Sequence, residues 1–378
     1  MIVDSEREEL LQSFLQETDV EPRDYQERIV LRTWKEFASG ARSVMIHSPT
    51  GSGKTVMGLL IARGLQQAHG MRIGWVAMRR NLLAQARREN EIKRLGVDLF
   101  TLSMFDRNPM NDLDVLIVDE AQHDCCNSMM AIHGLIQPKF ILGLSATPYR
   151  TDKLKLCFDK VIRDAGIHQL IQDGYLSKYH HYTLPSFQPE EIANAYLRDQ
   201  ERWGKSIIYF HTISDCRKTA KRLQDAGVRV EVVTGSSDRE RQLEDFSRGD
   251  VRVLINAQVL VEGMDEPSIQ TVFVRPSGCS STTQMAGRVF RKHSDYSFKQ
   301  VVQCQDTRWP MTRTATAAAQ FTWCDGQWRS LSVHEGLVSI SQRTVHALAK
   351  IEVALPKFLG QPKRSRRDNV LAPRIVED

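Results

Sequence analysis

Residues 48–55 (SPTGSGKT) have the composition and spacing of a phosphate-binding loop. Small residues let backbone N–H groups curl around the β- and γ-phosphates of a nucleotide, at the positive end of the following helix. Lys54 would bring a positive charge to these phosphates, and the Thr55 hydroxyl would bind Mg²⁺. The residues expected to contact the nucleotide here are Thr50, Gly51, Ser52, Gly53, Lys54 and Thr55. An ordinary Gly/Ser-rich turn, the alternative, would not require a strand before it and a helix after it.

Two adjacent acids, Asp119 and Glu120, follow the apolar run Val-Leu-Ile-Val. A carboxylate at the C-terminal end of a buried parallel strand lies where phosphates bind in α/β sheets. Asp119 is therefore expected to be the second Mg²⁺ ligand, and Glu120 to polarise the attacking water. Two acids after a strand are also common in exposed loops, so this motif depends on the phosphate loop upstream.

The elements that must position these residues alternate between short apolar strands and helices. Strands are predicted at 43–47, 73–77, 115–119 and 140–144, then at 206–210, 228–234, 251–256, 271–274 and 300–304. Helices are predicted at 55–68, 214–226 and 239–246. Strands separated by helices of this length form βαβ units, so we expect an α/β protein with two doubly wound parallel sheets in tandem.

The chain is divided into six segments on this pattern. They are a helical extension (1–20), a first domain (21–165), a linker (166–190), a second domain (191–310), a C-terminal hairpin and helix (311–355) and a basic, disordered tail (356–378). The linker is placed where Gly174, Pro185 and Pro189 interrupt regular structure. The small C-terminal part is treated as an appendage to the two domains.

A hairpin is predicted around Asp325-Gly326, a dipeptide typical of two-residue turns. This turn would pair Cys324 with Gln327 and Trp323 with Trp328. The two tryptophans have two interpretations. They could stack on bases or separate them, or they could hold the hairpin together and pack it on its neighbour.

The first half of the chain resembles the superfamily-2 helicases. Residues 119–123 (DEAQH) are similar to the DEAH-type box, and residues 144–148 (LSATP) to the motif that couples ATP to nucleic acid. The resemblance assigns this coupling to Gln122, His123, Ser145, Ala146 and Thr147. Residues 23–26 (RDYQ) resemble the Q-type motif of the family, which implies that Arg23 and Gln26 contact adenine.

The second half carries the remaining motifs of that family. Gly263 and Asp265 look like its fifth motif, which contacts the nucleotide. Residues 284–291 (QMAGRVFR) match the sixth, QxxGRxxR, which implies catalytic roles for Gln284 and for Arg288 and Arg291 as arginine fingers on the γ-phosphate. A guanidinium neutralises charge on the γ-oxygens without being deprotonated. The resemblance covers residues 23–295 with six motifs in order.

The resemblance implies that the two α/β domains are RecA-like, and that the protein is an ATP-dependent DNA helicase or translocase with ATP and Mg²⁺ as cofactors. Residues 145–152 (SATPYRTD) resemble phage and repair DNA helicases and the motors of type I and type III restriction enzymes. The expected partner is therefore DNA, whether duplex, forked or branched. The family would place nucleic-acid contacts at Arg79, Thr101, His211 and Thr234. An RNA-directed helicase and an ATP-gated motor subunit that does not separate strands remain alternatives.

Composition narrows the class further. The 378 residues are 41% hydrophobic and 26% charged, with a formal net charge of +5, which is typical of a globular protein. There is no apolar run of about 18 residues and no basic-then-apolar leader, so we expect a cytoplasmic protein without a membrane span. We also expect a monomer. The seven cysteines include no CxxC pair, and His180-His181 lacks neighbouring ligands, so no structural zinc is expected.

Overall fold

The computed structural model describes residues 4–106, 112–123, 127–147, 158–257, 264, 266–312, 314–324 and 326–334. The described residues up to Ser332 belong to one compact unit. None of the helices in these ranges has the length and hydropathy needed to span a lipid bilayer.

The first lobe is built on a six-stranded parallel sheet. Its strands are β1 (Ser43–His47), β2 (Ile73–Ala77), β3 (Leu99–Ser103), β4 (Val115–Asp119), β5 (Phe140–Ser145) and β6 (Lys160–Ile162), in the order β3-β2-β4-β5-β1-β6. Its helices are α1 (Asp4–Leu15), α2 (Asp24–Ala38), α3 (Lys54–His69), α4 (Arg80–Ile92) and α5 (Asn127–Ile136). The short helix α6 (Ile167–Gln172) follows the last strand.

The second lobe is built on an eight-stranded sheet. Its strands are β7 (Tyr179–Leu184), β8 (Ser206–Tyr209), β9 (Val230–Val233), β10 (Val253–Asn256), β11 (Thr271–Phe273), β12 (Lys299–Cys304), β13 (Gln320–Cys324) and β14 (Gln327–Ser330). Their order is β14-β13-β7-β12-β11-β8-β10-β9, and only the β13–β14 pair is antiparallel. Its helices are α7 (Pro189–Arg198), α8 (Gln200–Trp203), α9 (Ile213–Asp225), α10 (Arg239–Arg248) and α11 (Cys279–Gly287).

Apolar runs form these strands because helices cover both faces of each sheet, so there is no solvent face to favour alternation. All five residues of β2 are buried. The helices also fit closely together. A Cβ on Gly64 of α3 would lie 2.1 Å from Cζ2 of Trp34 on α2, so only glycine fits there. The Trp34 indole N–H donates to the Ile61 carbonyl at 3.2 Å, which fixes α2 against α3.

The predicted α/β architecture with parallel sheets is confirmed, but the region between the sheets differs from the prediction. The range 166–190, predicted as a linker with interrupted structure, contains α6 and the whole of β7, which pairs with β12 and β13 inside the second sheet. Strands β3 and β6 were also not predicted. The hairpin forms with the predicted register and extends the second sheet through β13. The predicted C-terminal helix and tail lie outside the described residues.

Candidate functional site

The phosphate loop lies between the C-terminal end of β1 and the start of α3. The Ser48 N–H donates to the Ser145 carbonyl at 3.1 Å, and the Ser48 hydroxyl donates to Ser52 Oγ at 2.8 Å. Gly51 and Gly53 have φ angles of 83° and 80°, in the left-handed region that favours glycine. The loop therefore curls back on itself directly before the first turn of α3.

The Lys54 side chain lies over this loop. Its Nζ donates to the carbonyls of Ser48 at 3.3 Å and Pro49 at 3.4 Å. Burial lowers the pKa of Lys54, while the nearby Glu120 and Asp119 carboxylates act in the opposite direction. The arrangement places one cation among backbone dipoles and carboxylates at the mouth of the loop.

The two acids at the end of β4 have different surroundings. The Glu120 N–H donates to Asp119 Oδ1 at 2.9 Å, and burial, followed by the Glu120 charge, raises the pKa of Asp119. Glu120 has a φ of 53°, a left-handed conformation that is uncommon for a residue other than glycine and concentrates at functional sites. Its Oε2 accepts a hydrogen bond from Gln122 Nε2 at 3.0 Å.

The second lobe reaches this site through the C-terminal end of α11. Arg288 and Arg291 both donate through one guanidinium nitrogen to the Met264 carbonyl, at 2.9 and 3.1 Å. A Cβ on Gly287 would lie 2.8 Å from the Cβ of Thr50, so α11 packs directly against the phosphate loop. The two arginines are thus held at the boundary between the lobes.

A cavity of about 180 Å³ joins these groups. Nine residues that the sequence singled out line it: Thr50, Gly51, Gly53, Lys54, Thr55, Asp119, Glu120, Arg288 and Arg291. Val56 on α3 and Leu82, Gln85 and Glu89 on α4 complete the lining and were not predicted. The three α4 residues are spaced by three and four, so they share one helix face, but no motif in the sequence marks that face.

The Q-type residues lie behind the loop and outside the cavity lining. Gln26 Nε2 donates to the Ser52 carbonyl at 2.8 Å, and the Tyr25 hydroxyl donates to the same carbonyl at 2.6 Å. The Arg23 guanidinium lies 5.0 Å above the centre of the Tyr175 ring. Tyr25 and Tyr175 were not singled out in the sequence, although Tyr25 stands inside the motif itself.

A chain of polar contacts links Glu120 to the second lobe. Ser145 Oγ lies 2.6 Å from Gln122 Oε1 and accepts from the Thr147 N–H at 3.0 Å. Gln284 Nε2 on α11 donates to Thr147 Oγ1 at 3.4 Å. Residues assigned to coupling by sequence therefore form a path from the end of β4, past the end of β5, to α11. Ala146 is buried beside them, and the side chain of His123 lies outside the described residues.

The four predicted nucleic-acid contacts fall into two pairs, one in each lobe. Thr101 lies on β3, where the Arg87 guanidinium donates to its hydroxyl, and Arg79 precedes α4. His211 follows β8 and Thr234 follows β9. Gly263 and Asp265, predicted to contact the nucleotide, lie outside the described residues.

The hairpin tryptophans pack against the second lobe. The Trp323 and Trp328 rings meet edge to face at 5.1 Å, and the Trp328 ring meets Tyr182 at 4.9 Å and Trp203 at 5.7 Å. The Arg198 guanidinium lies 4.5 Å above the Trp323 ring. This geometry favours the packing interpretation over base separation.

Comparison with known families and structures agrees with these features. Residues 19–106 match the family described as type III restriction enzyme, res subunit, and residues 188–293 match the helicase conserved C-terminal domain. A Saccharomyces cerevisiae protein, IRC3, which is named as an ATP-dependent helicase, is 25% identical over 342 residues, covering 72% of this chain and 49% of that protein. The chain spans between 49% and 59% of the lengths of the first curated relatives it matches.

Two solved structures share the fold at low identity. The ATP-dependent type ISP restriction-modification enzyme LlaBIII bound to DNA is 14% identical, with a TM-score of 0.58 over 75% of this chain and 27% of that enzyme. A variant of S. cerevisiae Dbp5 bound to RNA and ADP with BeF₃ is 16% identical, with a TM-score of 0.59 over 89% of this chain and 97% of Dbp5. The chain belongs to superfamily 2 of the helicases and translocases, the helicase-type ATP-dependent motors of nucleic acid.

Proposed function

We propose that this chain is an ATP-dependent DNA helicase or translocase that hydrolyses ATP between its two lobes. One observation carries the proposal. Lys54, Asp119 and Glu120 from the first lobe and Arg288 and Arg291 from the second line a single cavity. A nucleotide bound there would touch both lobes at once, so its hydrolysis would change how they are held together.

The phosphate loop binds the triphosphate of ATP. Its backbone N–H groups and the Lys54 ammonium face the β- and γ-phosphates, and the start of α3 adds its positive end. Gln26 and Tyr25 hold the loop from behind through the Ser52 carbonyl. Gln26 and Arg23 contact the adenine base in this proposal.

Hydrolysis depends on charges from both lobes. Glu120 polarises the attacking water, and Arg288 and Arg291 neutralise the charge that spreads over the γ-phosphate oxygens in the transition state. The Thr55 hydroxyl and Asp119 carboxylate are the hard oxygen donors that Mg²⁺ prefers, and both line the cavity, so they fit this ion. When bound, Mg²⁺ neutralises further phosphate charge.

The polar path from Glu120 to Gln284 supports coupling between chemistry and movement. Gln122 contacts the carboxylate that handles water, and Thr147 contacts α11 of the other lobe. A shift of one lobe against the other therefore changes the surroundings of Glu120. Nucleic acid that binds across both lobes would act on the ATPase through these contacts.

DNA is favoured over RNA by two observations. The first lobe matches a restriction-enzyme family, and residues 145–152 resemble DNA motors. The RNA-directed alternative is supported by the fold shared with Dbp5 along most of both chains. Contacts to the backbone carry no sequence information by themselves, so the motifs are compatible with either polymer.

The ATPase rate measured with single-stranded, duplex and forked DNA and with RNA tests the proposal. We expect DNA to give the largest stimulation, and Lys54→Ala to abolish turnover while keeping salt-sensitive DNA binding. Lys139→Ala is the matched control, because its exposed ammonium pairs with Asp114 at 2.7 Å before β5, at the opposite edge of the sheet. Stimulation by RNA alone would replace the DNA assignment by the RNA alternative. A Lys54→Ala variant with wild-type turnover would contradict the ATP site.

Unwinding and translocation are separated by two further assays. A forked duplex with one labelled strand reports strand separation, and displacement of a third strand from a triplex reports movement along duplex DNA. Activity in both indicates a helicase, and triplex displacement alone indicates a translocase. ATPase stimulation without either would favour the ATP-gated motor subunit.

A further inference from the structure

Arg275, which no motif singled out, lies at the C-terminal edge of the second sheet. It follows β11, which pairs in parallel with β8, so the residues after these two strands are neighbours. Its side chain is only 7% exposed. A buried guanidinium usually has a carboxylate partner, because a buried charge without compensation is costly.

Neutral groups surround Arg275 instead. One of its terminal nitrogens donates to His211 Nδ1 at 2.7 Å and to Ser277 Oγ at 3.0 Å. Its Nε is buried and has no hydrogen-bond partner among the described residues. Burial lowers the pKa of Arg275, and no neighbouring carboxylate within the described ranges offsets that effect. Among the described residues, no carboxylate balances this charge.

The His211 side chain holds Arg275 in position. Because Nδ1 accepts from Arg275, the other ring nitrogen carries the proton and donates to the Pro276 carbonyl at 3.0 Å. Both nitrogens of the imidazole are therefore used inside the protein. The sequence placed a nucleic-acid contact at His211, but in this geometry His211 positions Arg275.

The amino end of α11 lies beside the same guanidinium. Ser277, which Arg275 contacts, directly precedes the helix cap Gly278, and the cap has no side-chain hydrogen bond. The first hydrogen bond within the helix runs from the Thr282 N–H to the Gly278 carbonyl at 3.0 Å. The N–H groups of the residues before Thr282 therefore have no acceptor within the helix. Free N–H groups at the positive end of a helix bind anions.

From these contacts we infer that Arg275 and the amino end of α11 form a binding site for a backbone phosphate of nucleic acid, with His211 and Ser277 as positioning residues. The inference rests on the proposed function, because the phosphate belongs to the DNA on which the motor acts. Thr234 follows β9, which lies three strands from β11, so strand spacing puts it about 14 Å from Arg275 along the same edge. A phosphate chain running along this edge would meet both positions.

The site also gives α11 a role in coupling. The helix has nine residues and is about 13 Å long. Its first turn faces the phosphate site, Gln284 contacts Thr147 of the first lobe, and Gly287 and Arg288 lie against the ATP cavity. Nucleic acid bound at one end of a rigid helix would therefore set the position of the arginines at its other end.

The test measures binding of a fluorescein-labelled (dT)₂₀ strand by anisotropy at several salt concentrations. Losing one charged contact should weaken binding of Arg275→Ala about tenfold. It should also reduce the slope of log Kd against log salt by about 0.7, the contribution of one phosphate on a single strand. Arg275→Lys keeps the charge and should keep the wild-type slope. Arg248→Ala is the matched control, since its guanidinium is exposed and paired with Asp245 and Asp250.

Arg275→Gln removes the charge but retains a donor for His211, so it decides the question if Arg275→Ala does not fold. A folded Arg275→Gln or Arg275→Ala with wild-type affinity and slope would overturn the site, and so would weaker binding with an unchanged slope, which indicates a structural role. A third outcome would also overturn it: millimolar inorganic phosphate competes with (dT)₂₀ for the wild-type protein, but the Arg275 variants bind (dT)₂₀ as the wild type does. The site would then bind free phosphate and not the nucleic-acid backbone. If the wild-type ATPase is not stimulated by any nucleic acid, the proposed function fails independently of this site.

Discussion

At the residue scale, Gly53 shows how closely the phosphate loop is packed. It caps α3 with a φ of 80°, and a Cβ there would lie 2.4 Å from Gln26 Nε2. Gly53→Ala should therefore displace Gln26 and distort the loop, and we expect the KM for ATP to rise at least tenfold. Steady-state ATPase assays with varied ATP measure this change.

Gly70 at the other end of α3 provides the control. It has a φ of 62°, but a Cβ there would meet no atom within 4 Å. Gly70→Ala should lower the free energy of unfolding by about 1 kcal/mol through backbone strain alone and leave the KM for ATP unchanged. Equal effects of both variants on KM would show that helix strain, and not contact with Gln26, explains the loss.

The Ser145 hydroxyl is the central group of the path from Glu120 to the second lobe. Ser145→Ala removes the contact to Gln122 and leaves the buried Thr147 N–H without its acceptor. We expect the DNA-stimulated kcat to fall about tenfold, the cost of one to two lost buried hydrogen bonds, with ATP binding retained. Stopped-flow phosphate release with saturating DNA measures it.

Ser206→Ala is the matched control for that substitution. Ser206 is also buried, and its hydroxyl lies 3.0 Å from the Trp203 carbonyl, at the start of β8 and away from the cavity. It should lose similar stability and keep its kcat. If both variants lose kcat to the same extent, the effect comes from general destabilisation and the coupling path is wrong.

Residue types with a fixed local pattern could be predicted from sequence. The lysine of the phosphate loop, the two acids at the end of β4 and the two arginines that follow α11 have the types and spacing expected for triphosphate binding, and all of them line one cavity. Gln85 and Glu89, which line this cavity, and Arg275, which contacts Ser277 before α11, could not be predicted, because the topology and not a local motif places them there. The aliphatic residues next to them in the sequence do not indicate at which end of which strand these polar side chains will lie.

At the element scale, aliphatic strands were predictable and β7 was not. Its sequence Tyr-His-His-Tyr-Thr-Leu is polar by composition, yet four of its six residues are buried. His180 stacks on Phe298 with ring centres 3.9 Å apart, and His181 Nε2 lies 2.9 Å from Gln303 Oε1. These histidines are satisfied by partners more than 100 residues away, so local sequence gives no indication of burial. The short β6 pairs with β1 over three residues only.

The hairpin provides a test at this scale. Trp328 packs on Tyr182 and Trp203, so Trp328→Ala should lower the free energy of unfolding by about 3 kcal/mol. Phe105→Ala is the control, because Phe105 is 64% exposed and the loss of its ring should cost less than about 0.5 kcal/mol. Urea unfolding followed by fluorescence and circular dichroism measures both.

Base separation by the hairpin predicts a different result. Under that hypothesis, a Trp323→Ala and Trp328→Ala double variant would lose unwinding even at temperatures where it is fully folded. If the two tryptophans only pack the hairpin onto the second lobe, the unwinding rate per folded molecule of the double variant stays at the wild-type value. Strand separation measured well below the unfolding transition distinguishes the two.

At the scale of the whole molecule, the sequence predicted two α/β units from the repeated strand–helix pattern. It did not predict that a single buried apolar cluster joins the two units. One buried apolar cluster extends from α1 through α6 and β7 into the second sheet. The segment between the sheets, with Leu176 3.2 Å from a Cβ on Gly51, also packs against the phosphate loop. Any movement of one lobe against the other must therefore rearrange packed side chains in this segment.

The central claim is that groups from both lobes act on one triphosphate, and Arg291→Ala tests it most directly. ATP affinity, measured by titration with a fluorescent ATP analogue, should stay within about threefold of wild type, because the phosphate loop and Lys54 are intact. Hydrolysis in a single turnover with saturating DNA should fall roughly 1,000-fold, as expected for an arginine finger. Arg248→Ala should match wild type in both measurements. Hydrolysis by Arg291→Ala at the wild-type rate, or loss of ATP binding and hydrolysis together, would contradict the account.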